Sequence, residues 1–281
     1  MKLEVHETAL KDDTLTADVW VTNLVGHKFP SDVGFRRAFL TFEVMNAMGQ
    51  VIWASGRTDG AGRIVDAKGE PLDGELWWEP SCEKRIEPEK RLHQPHYQTI
   101  TSQSQAQIYQ ELVSTPTSAT EQCGHDATPT GHLTTSFLSI CAEVKDNRLL
   151  PLGFLPLKER LKISAALGAD PAMAEDSGAT AVNGDSDYGE HADKGRDTLK
   201  YVVKLSDMKG GGKHLDKPAS VRARMSFQAT PPFYLQDRFC TAKGADSSRL
   251  YFLAGNLNLN NTAAEDWKFA IADTGAVAIK K

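Results

Sequence analysis

The sequence predicts a mainly β protein, an antiparallel β-sandwich with a small α-helical insertion and long loops. Two blocks of alternating apolar and polar side chains, one near each end of the 281-residue chain, carry this prediction. A stretch rich in Gly, Pro and charge begins between them at Asp59. Because sheets with one apolar face pack together, we expect a single sandwich domain over 1–281, with the loops and the helical insertion in 59–197.

The first block contains three strand patterns. Every second residue is apolar over 15–21, and the same period recurs over 40–44. Asn46-Ala-Met-Gly49 then supplies turn chemistry before the apolar run 51–54. This spacing predicts a β-hairpin.

The second block repeats the pattern late in the chain. Apolar residues alternate over 199–203 and again over 221–227, where Arg222 and Arg224 are expected to face water. Gly210–Gly212 suits a flexible hairpin connection between these two strands. We expect early and late strands to pair within one domain.

The middle of the chain is predicted to hold helices and loops. Apolar residues four apart favour a helix over 105–113, and an apolar stripe favours a second over 133–144. The stretch 165–197 is poor in large apolar residues and is expected to be loop. Trp77 and Trp78 lie in the earlier loop region, where we expect them to be exposed.

Charge and hydropathy exclude two classes of partner. The formal net charge of -5 leaves no basic stripe for phosphates, so nucleic acid is not expected as a partner. Nothing approaches the roughly 20 apolar residues of a membrane span. A soluble, globular protein is expected.

The 4 cysteines, Cys82, Cys123, Cys141 and Cys240, show no Cys-x-x-Cys spacing. This argues against a zinc knuckle, a thioredoxin-like site and covalent attachment of haem. Two disulfides and buried free thiols both remain open, and the spacing does not choose a pairing.

Histidines are the natural candidates for chemistry. In Val21–Ser31, "VTNLVGHKFPS", His27 lies between a glycine and a proline directly after a strand pattern, where it either holds the loop or acts as a ligand. His93 and His96 are three apart, but Pro95 between them rules out a helical pair. Their rings either hydrogen-bond a loop to the sheet or contribute to a metal site.

An acidic turn is a weaker candidate. Asp185, Asp187 and Glu190 lie close together in "NGDSDYGE" and could hold calcium, although the spacing of an EF-hand is missing. A solvated acidic turn is the alternative. Nucleophile elbows, phosphate-binding loops and His-Glu-x-x-His are absent from the sequence, so catalysis in this chain is not indicated.

Several phrases together resemble one family. Val21–Gly56, with its strand, Gly-His-x-x-Pro, arginine pair and hairpin, resembles the haem-free, β-rich C-terminal domain of large multihaem c-type cytochromes. Further phrases follow in the same order as in those proteins, at 95–100, 107–112, 133–138, 144–154 and 221–239.

The resemblance implies a non-catalytic accessory or docking domain of a periplasmic or extracellular electron-transfer protein. Haem c would lie on an adjacent domain or a partner subunit, because this chain lacks Cys-x-x-Cys-His. His27 and His96 carry over as candidate contacts to that haem. Arg36 and Arg37 carry over as candidate partners of its propionates, or one of them ties its loop to Asp32 or Glu43.

Two other function classes remain open. Trp77, Trp78 and Tyr97 could stack on a sugar in a free-standing carbohydrate- or ligand-binding module. Alternatively, His93, His96 and a carboxylate could form the centre of a metalloenzyme.

Overall fold

The computed structural model describes residues 1–31, 34–86, 93–124, 127–189, 192–212 and 216–280. Within these ranges the chain is mainly β, with several antiparallel sheets, four α-helices and long loops, which confirms the predicted fold class. The described helices are all too short or too polar to cross a bilayer.

The strands and helices are numbered in chain order. The strands are β1 (Lys2–Lys11), β2 (Thr14–Thr22), β3 (Arg37–Asn46), β4 (Val51–Ser55), β5 (Arg57–Thr58), β6 (Ile64–Val65), β7 (Thr99–Ile100), β8 (Ile108–Ser114), β9 (Leu133–Thr134), β10 (Ala142–Asp146), β11 (Arg196–Lys204), β12 (Pro218–Gln228), β13 (Phe269–Asp273) and β14 (Val277–Ala278). The helices are α1 (Leu157–Ala166), α2 (Pro171–Asp176), α3 (Pro232–Thr241) and α4 (Ala245–Gly255).

Two main sheets are formed by pairing early strands with late ones. One has the order β1-β2-β11-β7, and the other has β10-β8-β3-β12-β13 with β4, β9 and β14 attached. Val19 of β2 lies opposite Leu199 of β11, and Phe42 of β3 lies opposite Ala223 of β12. The expected pairing of the two blocks and the β3–β4 hairpin are both confirmed.

The core lies between these sheets and follows from the period of two. Alternate residues of β2 and β11 are buried while their neighbours are partly or fully exposed. The ring of Tyr201 stacks on Phe42 with centroids 3.9 Å apart, and Trp53 meets both rings edge-on. Such aromatic contacts add to the stabilisation from burial alone.

The helix predicted over 105–113 is wrong, because this segment forms β8. Six of its seven residues are buried, and Glu111 alone is partly exposed. A strand covered on both faces does not alternate, so its apolar residues also fit a helical spacing.

The helix predicted over 133–144 is also wrong. The segment contains β9, a 3₁₀ turn over Phe137–Ser139 and the start of β10. Phe137 and Ile140, which belong to the supposed apolar stripe, are 60% and 45% exposed. The backbone N–H of Cys141 instead donates to the carbonyl of Ser114 in β8 at 2.8 Å.

Two connections also differ from expectation. The helices within 59–197 are α1 and α2, and α2 lies inside the stretch 165–197 that was expected to be loop. Gly210–Gly212 does not close a hairpin, because the strands on either side of it belong to different sheets.

The cysteines form two disulfides, Cys82–Cys240 and Cys123–Cys141. The first joins the loop after Trp78 to α3 at a sequence separation of 158, and the second has a sequence separation of 18. Of the two alternatives left open by the sequence, the structure therefore has the disulfides.

Candidate functional site

The segment 23–31 leaves β2 as a loop that is organised by Asn23. This side chain is fully buried, and its amide donates to the carbonyls of His27 at 2.8 Å and Leu149 at 3.0 Å. Its Oδ1 accepts from the backbone N–H of Val25 at 3.0 Å. Asn therefore mimics a backbone turn here and ties the loop to a distant part of the chain.

Phe29 clamps the other end of the loop. Its backbone exchanges two hydrogen bonds with Leu149, at 2.9 and 2.8 Å, and its ring packs against the core. The peptide bond to Pro30 is cis. Because Asn23 and Phe29 both hold Leu149, the loop is fixed without any contribution from the His27 ring.

The ring of His27 is exposed and has a defined orientation. Its Nδ1 lies 2.9 Å from the carbonyl oxygen of Lys28. A carbonyl can only accept, so Nδ1 carries the proton and Nε2 keeps its lone pair. Leu24 and Val25 beside it are 56% and 38% exposed. The tip of the loop thus combines apolar side chains with an imidazole nitrogen that can act as a ligand.

Lys28 anchors the loop to a group of charges. Its Nζ bonds Asp146 Oδ2 at 2.6 Å and the carbonyl of Gly178. Arg148 also bonds both oxygens of Asp146, at 2.8 and 2.7 Å. Burial raises the pKa of Asp146, but Arg148 and Lys28 outweigh it and hold that pKa below its usual value. Carboxylate oxygens of Glu111, Glu143 and Asp146 lie within 4.8 Å of one another, and the two cations already neutralise much of this cluster.

Arg37 is committed to buried partners. Its guanidinium bonds both oxygens of Glu75, at 2.5 and 2.8 Å, and donates to Gln228 at 2.7 Å. Arg37 and Glu75 are 1% and 0% exposed, so Arg37 is not accessible to a propionate on another domain. The partner suggested by the sequence, Glu43, is instead 3.5 Å from Arg224. Arg36 is partly exposed, and the other suggested partner, Asp32, lies outside the described residues.

His96 is the centre of a buried hydrogen-bond network. The residue is 2% exposed, and its Nε2 lies 3.0 Å from Asp185 Oδ2. Two side-chain amides approach its Nδ1, from Gln107 at 2.9 Å and from Asn147 at 3.0 Å. A ring this deeply placed does not reach a group on another domain.

The backbone determines how both amides are oriented. Gln107 Oε1 accepts from the N–H of Tyr97 at 2.8 Å, and Asn147 Oδ1 accepts from the N–H of Gln110 at 3.0 Å. Each side chain therefore turns its NH₂ group toward His96, and Nδ1 must accept. The ring proton is on Nε2 and is donated to Asp185.

This proton argues against a metal at His96. Ligand atoms of His96, Asp185 and Asp197 lie within 4.8 Å of one another, which is close enough to surround an ion. A metal-binding histidine donates its second nitrogen to an acceptor, whereas Nδ1 here meets two donors. The interpretation that His96 ties its loop to the sheet fits this geometry.

Asp197 closes the network below His96. Its Oδ2 accepts from Gln107 at 3.1 Å and from the hydroxyl of Tyr109 at 2.7 Å. Its Oδ1 has no hydrogen-bond partner among the described residues. Burial is the main cause that raises the pKa of Asp197 to about 6.

The acidic turn is partly used by the same network. Asp185 accepts from the N–H of Asp187 at 2.9 Å and from His96, so its two oxygens are both engaged. Asp187 is partly exposed, and Glu190 lies outside the described residues. A calcium ion at these three residues stays a prediction.

Trp77 and Trp78 do not form the exposed pair that a sugar-binding surface needs. Trp77 is 6% exposed and stacks on Phe233 with centroids 4.5 Å apart. The indole N–H of Trp78 donates to the buried carboxylate of Asp237 at 3.0 Å. The expectation that they are exposed is wrong, because α3 covers them.

Sequence reasoning missed Lys145, which is also fully buried. Its Nζ donates to the carbonyls of Gln94 at 3.0 Å and Ile108 at 3.1 Å. Burial is the main cause that lowers its pKa to about 7. The sequence contains no local signal for this, because a register shift between Glu143 and Lys145 interrupts the alternation of β10 and turns Lys145 inward.

The structure defines the class only broadly, as a mainly β chain with two disulfides. No family model matches this chain, and no curated protein matches it. A penta-heme cytochrome c552 from Thermochromatium tepidum is structurally similar, with 12% sequence identity and a TM-score of 0.39. The match covers 97% of this chain and 38% of that one. A TM-score of this size does not establish a shared fold or function.

Proposed function

We propose that this chain is a haem-free accessory domain of an extracytoplasmic multihaem electron-transfer protein, and that it presents His27 to a haem on a neighbouring domain or subunit. The observation that carries the proposal is the exposed His27 ring, whose Nδ1 donates to the Lys28 carbonyl. The lone pair of Nε2 is then available to a ligand. The haem would supply the redox centre, and His27 would supply an axial imidazole.

The chemistry of the loop tip supports this role. Histidines that bind metals usually donate their other nitrogen to a backbone carbonyl or a carboxylate, as His27 does. The loop is held by Asn23 and Phe29, so little ordering is needed on binding. Exposed Leu24 and Val25 would pack beside the porphyrin, which is largely apolar.

Other parts of the chain support a docking role. Every residue of α4 is partly or fully exposed, including Leu250 at 43% and Leu253 at 54%. Exposed apolar patches of this kind mark surfaces that contact a partner. All four cysteines are in disulfides, so any covalent haem would belong to another chain or segment. Disulfides also favour an oxidising compartment.

A haem c undecapeptide with one open axial position provides a direct test. We expect the chain to convert its ferric Soret and visible spectrum to that of a low-spin, bis-histidine haem. The variant His27→Ala is expected to bind at least about tenfold more weakly, a loss of roughly 1.4 kcal/mol. His6→Ala is the matched control, because His6 is also exposed but stacks on Trp20 with centroids 3.6 Å apart.

A second variant tests the positioning of the ring. Asn23→Ala keeps His27 but removes the three hydrogen bonds that shape the loop. We expect weaker peptide binding with an unchanged far-ultraviolet circular dichroism spectrum. Equal binding by wild type and His27→Ala, or an equal loss in His6→Ala, would show that His27 is not the ligand and would overturn the proposal.

A further inference from the structure

An apolar groove lies between α3, α4 and the 3₁₀ turn Glu265–Trp267. Its volume is about 660 Å³, which is within the range of small-molecule sites. Phe239, Tyr251, Phe252 and Trp267 line it, and the Cys82–Cys240 disulfide forms part of its wall. The proposed role of His27 makes no use of this groove.

The lining carries no formal charge among the described residues. Its polar side chains include two amides, and that of Gln236 is occupied by the backbone of Trp77 and Trp78. An ion entering the groove would lose water without gaining a counter-charge, which costs free energy. The groove therefore favours an uncharged ligand.

The aromatic rings are displayed with their surfaces uncovered. Tyr251 and Phe252 are each 65% exposed, and Tyr251 meets Phe239 edge-on with centroids 5.2 Å apart. Ring faces in this arrangement are suited to stacking with another planar ring. Shape and polarity thus agree on a flat, apolar ligand.

Trp267 is held at the groove by an unusual backbone. Asp266 and Trp267 have φ angles of 54° and 55°, a left-handed conformation that costs a bulky residue about 1–3 kcal/mol. Asp266 is fixed by hydrogen bonds from Thr58 at 3.0 Å and Lys268 at 2.9 Å. A Cβ atom at Gly62 would come within 2.6 Å of the Asp266 carbonyl oxygen and 3.0 Å of the Trp267 Cβ, so glycine lets this turn approach closely. Backbone strain of this kind clusters at functional sites.

We infer that this groove is a binding site for a neutral, planar, largely apolar ring compound. The inference rests on the finite volume, the uncharged lining, the uncovered ring faces and the constrained Trp267. It is independent of the proposed role of His27, which lies in a different loop.

Two probes that share one ring system test the ligand class. N-phenyl-1-naphthylamine is neutral, and 8-anilinonaphthalene-1-sulfonate carries the same rings with a negative charge. We expect the neutral probe to bind at one site per chain with enhanced fluorescence. The charged probe is expected to bind at least about tenfold more weakly, because the groove offers no counter-charge.

Variants of α4 locate the binding. Gly255 lines the groove, and a Cβ atom there meets nothing within 4 Å, so Gly255→Leu is expected to fold normally and fill the space. We expect it to weaken binding of the neutral probe at least about tenfold, and Phe252→Ala to weaken it severalfold. Leu253→Ala is the matched control, since Leu253 is 54% exposed on the same helix but does not line the groove.

Three results would overturn the inference. The first is unchanged affinity of the neutral probe in Gly255→Leu, and the second is an equal loss in Leu253→Ala. The third is that the neutral probe does not bind and the chain instead sediments as a dimer, which Gly255→Leu dissociates. That result would assign the groove to a second copy of the chain. None of these results changes binding of the haem peptide at His27.

Discussion

Gln107 donates to Nδ1 of His96 across 2.9 Å, and the backbone N–H of Tyr97 prevents the amide from turning the other way. The relationship fixes the ring proton of His96 on Nε2. His27, whose Nδ1 donates to a carbonyl, has the opposite tautomer. The neighbours of the two histidines thus leave a different ring nitrogen able to accept, Nε2 in His27 and Nδ1 in His96.

The tautomers can be observed directly. Long-range ¹⁵N–¹H correlation spectra at neutral pH should show the Nε2–H pattern for His96 and the Nδ1–H pattern for His27. His96→Gln and His27→Ala assign the two sets of signals. An Nδ1–H pattern for His96 would mean that Gln107 and Asn147 do not donate to it, and would reopen a metal site there.

Asp197 should make the chain more stable in mild acid. Its pKa is about 6 in the folded protein and about 3.9 when unfolded, so the folded state binds the proton more tightly. This contribution is complete below pH 4 and is lost as the pH rises through 6. In urea unfolding, the stability of wild type minus that of Asp197→Asn should fall by roughly 2 kcal/mol from pH 4 to 7. A difference that does not vary with pH would contradict the buried, ionisable carboxyl.

Lys145 should make the stability of the protein depend on pH between about 7 and 10. Its pKa is about 7 in the folded protein and about 10.4 when unfolded, so the unfolded state holds the proton more tightly. Its contribution to stability is therefore lost as the pH falls from about 10 through 7. Compared with Lys145→Met, wild type should gain stability steadily between pH 7 and 10. Parallel curves for the two proteins over this range would show that Lys145 is hydrated.

The two disulfides should contribute unequally. Cys82–Cys240 closes 158 residues and Cys123–Cys141 closes 18. Chain entropy then gives stabilisations of about 5 and about 3 kcal/mol. Paired Cys→Ser variants, compared by urea unfolding, should show the larger loss for the Cys82–Cys240 pair. The reverse order would indicate that residual structure in the unfolded chain decides the effect.

The alternating strands β2 and β11 were predictable from the sequence, whereas β8, which is buried on both faces, was not. The alternation in β2 and β11 follows burial residue by residue. In β8 both faces are covered, so the local pattern lost its period and favoured a helix. The partners that cover β8 come from distant parts of the chain, and local spacing contains no information about them.

The candidate site shows the same limit. The sequence around His27 predicted a turn, but the contact that fixes this turn is with Leu149, which is 126 residues from Asn23. Arg37 was expected to be available to a haem propionate, because its partner Glu75 is distant in sequence. In the structure the two side chains form an ion pair and are buried together. Residue types indicated which side chains can do chemistry, whereas tertiary contacts decided which of them remain accessible.

The register of β3 with β12 has a consequence for synthesis of the chain. Residues 37–46 pair with residues 218–228, so this part of the sheet cannot form until the chain has been made as far as β12. Pairings this remote in sequence slow folding, because a long segment must be brought together first. A nascent chain that stops short of β12 carries an open sheet edge, which is a site for aggregation.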